Sequence, residues 1–293
     1  MTNSDIKPCP LCQSQAQRLL FVQHGYQLVR CSNCELAFIA NPPDEKAVRA
    51  LYTSEGSGAY HQDVRSPDSR AARRMMQTAH RHLQFLTSVV RQGRLLDVGC
   101  STGDFLSLAV AAGFDAHGVE LSQASVRIAV EQRGLSVQQG SVDDLDPQAA
   151  MYVITAFDVL EHIPDPIREL RAYVARLKPG GWLVISTPNI DGLFPRLSYK
   201  VAKFLGYWPH PEPPHHLYQF GEATLRRILA DQGLVPGRAR HAAIDFSYSF
   251  GRWPTLMRMP KRLLYALAFG PVSMAGPWLG QGDWIYMAAR KPG

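Results

Sequence analysis

Apolar side chains recur at helical spacing from Ser69 to about Val90, and beyond that point the pattern changes to short apolar runs separated by amphipathic stretches. The runs predict strands at Arg94 to Val98, Ala116 to Val119, Ser136 to Gln139, Tyr152 to Phe157 and Trp182 to Ser186. Between them, helices are predicted at Asp104 to Ala112, at Ser122 to Arg133 with Gly134 as its stop, and at Asp165 to Leu177 ahead of Pro179-Gly180-Gly181. A helix over Gly221 to Gln232 and strands near Arg238 to Ile244 and Trp284 to Ala288 complete the series. Apolar strands alternating with helices argue for a doubly wound α/β domain, its mostly parallel seven-stranded sheet covered on both faces.

The N-terminal part follows a different rule. Alternation over Leu19 to Arg30 predicts a short hairpin, flanked by Cys9-Pro10-Leu11-Cys12 and Cys31-Ser32-Asn33-Cys34. That spacing is a zinc ribbon's: four thiolates suit tetrahedral zinc, and a unit this short has too little core to fold without a staple. Two redox dithiols would need a βαβ context that is missing here. The fifth cysteine, Cys100, lies far along the chain and is not expected to be a ligand. The domain reading is therefore a ribbon over residues 1–45, a linker over 46–68 with a helical turn near Ala47 to Tyr52, and a main domain over 69–293. The linker assignment rests on Pro, Gly, Ser and charged residues. A net charge of +6 in 293 residues is a weak pointer to anionic partners. The start, MTNSDIKPCP, lacks a signal-peptide core, and no run of about twenty apolar residues occurs, so the expected location is cytoplasmic.

Candidate chemistry begins at LLDVGCSTGDFLSLA, Leu95 to Ala109. Very small residues between a strand and a helix let a ligand approach the backbone and the positive end of the helix. The next strand ends at Glu120, where an acid can accept hydrogen bonds from both ribose hydroxyls. A dinucleotide would fit a Gly-rich turn, but the turn reads G-C-S-T-G, not G-x-G-x-x-G. Asp97, just before it, would repel a pyrophosphate and could hold an ammonium group. An amino-acid-bearing nucleoside is favoured.

The segments LLDVGCSTGDFL, GVELS, AFDVLEHIPDP, LKPGGWLVISTPN and PPHHLYQFGEATLRRILADQGL, in this order, resemble the class I S-adenosylmethionine-dependent methyltransferases from Arg70 to Lys291. The resemblance implies a Rossmann-like sheet and S-adenosylmethionine as cofactor. It places Gly99, Ser101 and Gly103 at the methionine part, Asp97 near its amino group and Glu120 with Leu121 at the ribose. It puts the Val142 backbone and Asp143 at adenine, and Phe157 at the end of the fourth strand. Two positions depart from the family pattern: Ser101 replaces the second turn glycine, and Tyr152 replaces an acid that often begins the fourth strand.

A sulfonium is already an activated donor, so transfer needs chiefly an aligned acceptor and exclusion of water, with a base only where the acceptor must lose a proton. Base candidates are His162, in EHIPDP, and His215 and His216, in PEPPHHLYQF, which the resemblance places in a lid after the fifth strand. The ubiquinone O-methyltransferase branch uses an acid and a histidine at this fourth-strand position for a divalent ion, which makes Glu161 and His162 candidate ligands as well. For the acceptor, the ribbon invites an RNA reading. Base amino-group methylation, however, typically uses an N/D-P-P-aromatic turn where FDVLEH stands, and Asn41-Pro42-Pro43-Asp44 lies in another region. A small or lipid-linked acceptor (sugar, polyketide-like or envelope-associated) ranks first, RNA methylation second and a non-catalytic scaffold third. Substrate-shaping insertions are expected near 190–217 and 246–282. They are aromatic, apolar and basic, and a helix over Trp253 to Phe269 would line Arg258, Lys261 and Arg262 along one side, with Leu256, Leu263, Leu264 and Leu267 mostly elsewhere. Peripheral contact with the inner membrane face and a packed cap or subunit contact are both open readings of them.

Overall fold

A computed structural model describes residues 7–53, 69–205, 208, 210–244, 250 and 253–293. The main sheet contains β4 (Arg94–Val98), β5 (Asp115–Glu120), β6 (Val137–Gln139), β7 (Met151–Phe157), β8 (Leu177–Pro188) and β12 (Trp284–Arg290). Its edge is formed by β10 (Val235–Pro236) and β11 (Arg240–Ala242). The order is β10-β12-β8-β7-β4-β5-β6, with β11 pairing the same strand as β10. Strands β4 to β8 run parallel, whereas β12 lies antiparallel to β8, and β10 and β11 lie antiparallel to β12. The expected seven-stranded, mostly parallel sheet is thus present. The strand predicted near Arg238 to Ile244 is shorter, Arg240–Ala242, and an unpredicted strand at Val235–Pro236 precedes it; the register on β12 shifts by one residue between Pro236 opposite Ala289 and Arg240 opposite Tyr286. A bulge of this kind bends an edge strand.

Alternation along each central strand divides the core between two faces. Leu95, Val153, Val184 and Tyr286 pack with α2 (Arg70–Val89) and α3 (Asp104–Ala111) on one side. Leu96, Ile154, Leu183, Ile185 and Met287 pack on the other with α5 (Pro166–Arg176) and α7 (Glu222–Asp231). Ser69 caps α2 by accepting from the Ala72 N–H at 3.0 Å, and Asp165 caps α5 by accepting from the Arg168 N–H at 3.0 Å, with Pro166 at the first helical position. The helix expected over Ser122 to Arg133 is α4 (Gln123–Arg127) followed by a wider π turn at Ile128–Gln132. The chain order reverses at β4, whose neighbours are β5 and β7, so the crevice for a ligand opens beyond the carboxyl end of that strand.

The N-terminal hairpin is β1 (Gln17–Gln23) and β2 (Tyr26–Cys31), followed by β3 (Ala37–Ile39). This small antiparallel sheet takes its fourth strand, β9 (Tyr218–Gln219), from the main domain. Phe38, Leu36, Val29 and Cys31 belong to the same buried cluster as Leu96 and Ile154, while Ala37 and Ile39 pack on Trp208 and Ala202. The side chain of Arg30 bridges to Asp191 at 2.9 Å. The outer strand and one apolar face of this module are thus completed by residues about 180 positions away. Helix α1 (Glu45–Thr53) is longer than the single turn expected within 46–68, and residues 54–68 lie outside the described residues.

Phe38→Ala removes a side chain buried in the shared core, and a loss of about 3 kcal/mol is expected for the whole chain. Urea denaturation followed by tryptophan fluorescence and far-ultraviolet dichroism should show one transition moved to lower denaturant by both probes. A self-contained ribbon would leave the dichroism transition where it was.

Candidate functional site

The turn from β4 into α3 uses three left-handed residues, Gly99 (φ 68°), Ser101 (φ 51°) and Gly103 (φ 84°). At Gly99 a Cβ would come within 2.8 Å of Val159 Cγ2, and at Gly103 it would collide with Leu135 Cδ1. Both positions thus exclude a side chain on two grounds. Ser101 adopts the conformation that its glycine counterpart would take, at a modest steric cost. Below the turn, Cys100 Sγ occupies the space over Gly118, where an added Cβ would lie 2.6 Å from it. Cys100 thus packs against Gly118.

Two acids flank this turn. Asp97 is buried and accepts a hydrogen bond from Thr155 Oγ1 at 2.7 Å. Burial pushes its pKa up to about 7, the Thr155 bond opposes that rise, and the charge of Glu120 adds to it. Glu120 accepts from the Ser101 N–H at 2.9 Å through one oxygen and from the Ser122 N–H at 2.8 Å through the other. It thereby ties the turn to the end of β5. Leu121 is half-buried beside it. Val142 is fully buried in a short turn over Val142–Asp144, and the exposed Asp143 pairs with Arg168. The ring of Phe157 stacks on His82 with centroids 4.2 Å apart, within an aromatic group that includes Phe105 and Tyr286. Thr155 and His82 were missed from the sequence, where neither stands in a motif.

A second group lies at the carboxyl end of β7. Glu161, His162 and His216 each offer a ligand atom within 4.8 Å of the others. Nδ1 of His162 lies 2.8 Å from the His215 carbonyl oxygen and 2.9 Å from the Tyr52 hydroxyl. A carbonyl can only accept, so Nδ1 carries the proton and Nε2 holds a lone pair. Burial draws the pKa of His162 down to about 4 and that of His216 well below the usual histidine value. Both oxygens of Glu161 and Nδ1 of His216 are buried without a hydrogen-bond partner among the described residues. Burial first, and then the charge of Asp158, raise the pKa of Glu161 well above the ordinary range. Of the three candidate bases, His162 and His216 meet with rings 4.8 Å apart, whereas the His215 side chain is exposed and contributes its carbonyl. Tyr52 reaches the group from α1, more than a hundred residues upstream, and nothing local in the sequence marks it.

In the N-terminal module, Cys9, Cys12, Cys31 and Cys34 place their sulfurs within 4.8 Å of one another, with Cys9 to Cys34 at 3.4 Å and Cys12 to Cys31 at 3.5 Å. Four sulfurs about 2.3 Å from a zinc ion would be roughly 3.8 Å apart, so the donor set and its spacing fit that metal. Cys100 lies outside the cluster.

Comparison with known proteins agrees with this geometry. A family model described as a methyltransferase domain matches residues 68–236. Among curated proteins, a ubiquinone biosynthesis O-methyltransferase of Bordetella avium is 36% identical over 118 residues, 36% of this chain and 47% of the relative. Its counterpart in Albidiferax ferrireducens is 34% identical over 135 residues, 38% of this chain and 54% of the relative. The chain thus spans about half the length of the curated relatives it matches. Among solved structures, magnesium protoporphyrin IX methyltransferase from Synechocystis PCC 6803 superposes with a TM-score of 0.55 at 15% identity, over 85% of this chain and 100% of that one. A SAM-dependent methyltransferase from Thermotoga maritima gives 0.51 at 18% identity, over 75% and 95%. At these identities the structural likeness speaks for the fold. With the family match covering more than half of the residues, the chain belongs to the class I S-adenosylmethionine-dependent methyltransferases.

Proposed function

We propose that this protein transfers the methyl group of S-adenosylmethionine to a hydroxyl oxygen of a small or lipid-linked acceptor. The observation that carries the reading is the Glu161, His162 and His216 group beside the cofactor crevice, with the Nε2 lone pair of His162 left for a proton. A hydroxyl must lose its proton as the oxygen is methylated, and a positioned imidazole can take it. The names of the relatives, O-methyltransferases of ubiquinone biosynthesis, support oxygen as the acceptor atom. Sugar, polyketide-like and envelope-associated hydroxyl compounds are the acceptor classes in view.

In this reading, the turn at Gly99, Ser101 and Gly103 receives the methionine part, and Asp97 faces its ammonium. Glu120 and Leu121 serve the ribose, and Val142 and Asp143 the adenine. Phe157 backs the crevice through its aromatic group. Tyr52 and the His215 carbonyl are positioning groups that hold the His162 ring in one tautomer. A buried carboxyl group next to two neutral imidazoles also fits a divalent cation. Glu161, His162 and His216 would hold such an ion, which would lower the pKa of a bound hydroxyl. The four cysteines hold a structural zinc, and residues 1–45, 46–68 and 69–293 serve as ribbon, connection and catalytic domain.

Three outcomes test this. With methyl-labelled cofactor and a panel of phenolic, sugar and polyprenyl-phenol acceptors, label should appear on a hydroxyl oxygen. His162→Gln should lower the rate by about a hundredfold or more, whereas Tyr52→Phe lowers kcat by about tenfold with the cofactor KM unchanged. Transfer to nitrogen or to RNA alone would sink the acceptor assignment.

The second concerns pH. Folding raises the Asp97 pKa from 3.8 to about 7, so the ligand-free protein loses stability as pH rises through that interval, and a cation held there restores it. Binding the cofactor below about pH 7 must expel a proton from Asp97, so affinity should fall by up to about tenfold per pH unit toward acid. Calorimetry with S-adenosylhomocysteine should show this slope, and Asp97→Asn should bind more weakly with the slope gone.

The third concerns metal. Elemental analysis after chelator-free, reducing purification should find one zinc per chain, lost in Cys34→Ser together with thermal stability and retained in Cys100→Ser.

A further inference from the structure

Helix α6 (Leu193–Leu205), α8 (Trp253–Arg258) and α9 (Pro260–Ala275) form a cap with its own small core of Phe194, Phe250, Leu256 and Ala266. The helix expected over Trp253 to Phe269 is in fact interrupted at Met259, ahead of Pro260. Its side chains also sort differently from the expected pattern. Leu256 turns inward, while Leu264 and Leu267 are exposed, as are Arg258 and Arg262.

The outer surface of this cap is unlike that of a solvated helix pair. On α6 an exposed apolar row, Leu197, Val201 and Phe204, runs beside an exposed cationic row, Arg196, Lys200 and Lys203, at the same spacing of four and then three residues. Lys203 also stands over the Tyr199 ring at 4.9 Å. On α9 and the turn Gly276–Leu279, every exposed side chain beyond Arg262 is apolar, among them Leu264, Leu267, Met274 and Trp278. Phe204 and Trp278 are 92% and 91% exposed. No Asp or Glu occurs at positions 192–211 or 246–282. An amphipathic surface of large apolar side chains edged by cations and devoid of carboxylates is complementary to lipid headgroups and the acyl boundary beneath them. A second copy of the same face would instead bring like charges together.

We propose that the outer face of α6, α8 and α9 is a docking surface for an anionic lipid bilayer. No helix among the described residues is long and apolar enough to cross a membrane, so attachment is peripheral. Because α6 begins five residues after the end of β8, docking holds the carboxyl edge of the sheet close to the lipid surface. The proposal stands apart from the identity of the acceptor, since attachment can be measured without turnover.

The test is flotation of the full chain with vesicles of phosphatidylcholine alone and of phosphatidylcholine containing one-third phosphatidylglycerol, at low and high salt. The chain should float with the anionic vesicles only, and salt should release part of it. Arg258→Gln combined with Arg262→Gln should lower partitioning by about fivefold per charge removed. Trp278→Ser should lower it through the apolar side. All three residues are exposed or edge the cap, and unchanged dichroism and S-adenosylhomocysteine affinity show that the variants are folded. A chain that stays in solution with both vesicles, or that binds both equally and indifferently to these changes, overturns the proposal. So does a two-chain particle, found by light scattering, that does not float.

Discussion

The backbone of one residue, Leu217, ties three parts of this molecule together. The N–H of Leu217 donates to the Glu161 carbonyl at 2.8 Å, and its carbonyl accepts from the Ile39 N–H at 2.9 Å. The first bond lays the segment carrying His215 and His216 onto the end of β7, and the second fastens that segment to the cysteine module. The two histidines close a turn in which the N–H of each donates to the Glu212 carbonyl, at 3.0 and 3.2 Å, and only one of them faces inward. His216 does, and its partner supplies the carbonyl that orients His162. The position of the cysteine cluster is thereby coupled to the geometry of the histidine group, although no cysteine touches it.

The crevice at β4 rests on a different constraint, a carboxylate kept from water. Asp97 is buried at the end of a central strand, and the hydrogen bond it accepts from Thr155 does not offset the lost hydration. Such a group is poised to welcome a cation and is poorly suited to a phosphate. The neighbouring Glu120 has its charge spread over two backbone N–H groups and shapes the turn before any ligand arrives. The bare turn between them leaves room for a ligand against the backbone.

Much of this was legible in the chain. Strands buried on both faces announce themselves as apolar runs, and Asp97, Gly99, Gly103 and Glu120 stand at strand ends, where local pattern is informative. The four cysteines were legible for the same reason, since metal spacing is local. What escaped notice depended on distance. Tyr52 and His162 are 110 positions apart, and β9 is two residues long, too short to show any period. Its pairing with β3 could not be read from either partner. The break at Met259 did have a local signal, because the residue before a proline is disfavoured in a helix, but the apolar rhythm on both sides masked it.

The sheet's two borders have a consequence for assembly. One border is β6, only three residues long, and the other is the interrupted pair β10 and β11, where Gly237 donates to the Ala288 carbonyl at 2.8 Å while the register slips. Unsatisfied backbone along a straight, open border is what lets one chain template another into a continuous sheet. Among the described residues, neither border offers a straight row long enough for that, so strand addition to the main sheet is disfavoured at both ends. The longer open edge is β1, seven residues in the cysteine module, with Leu19 and Val22 exposed.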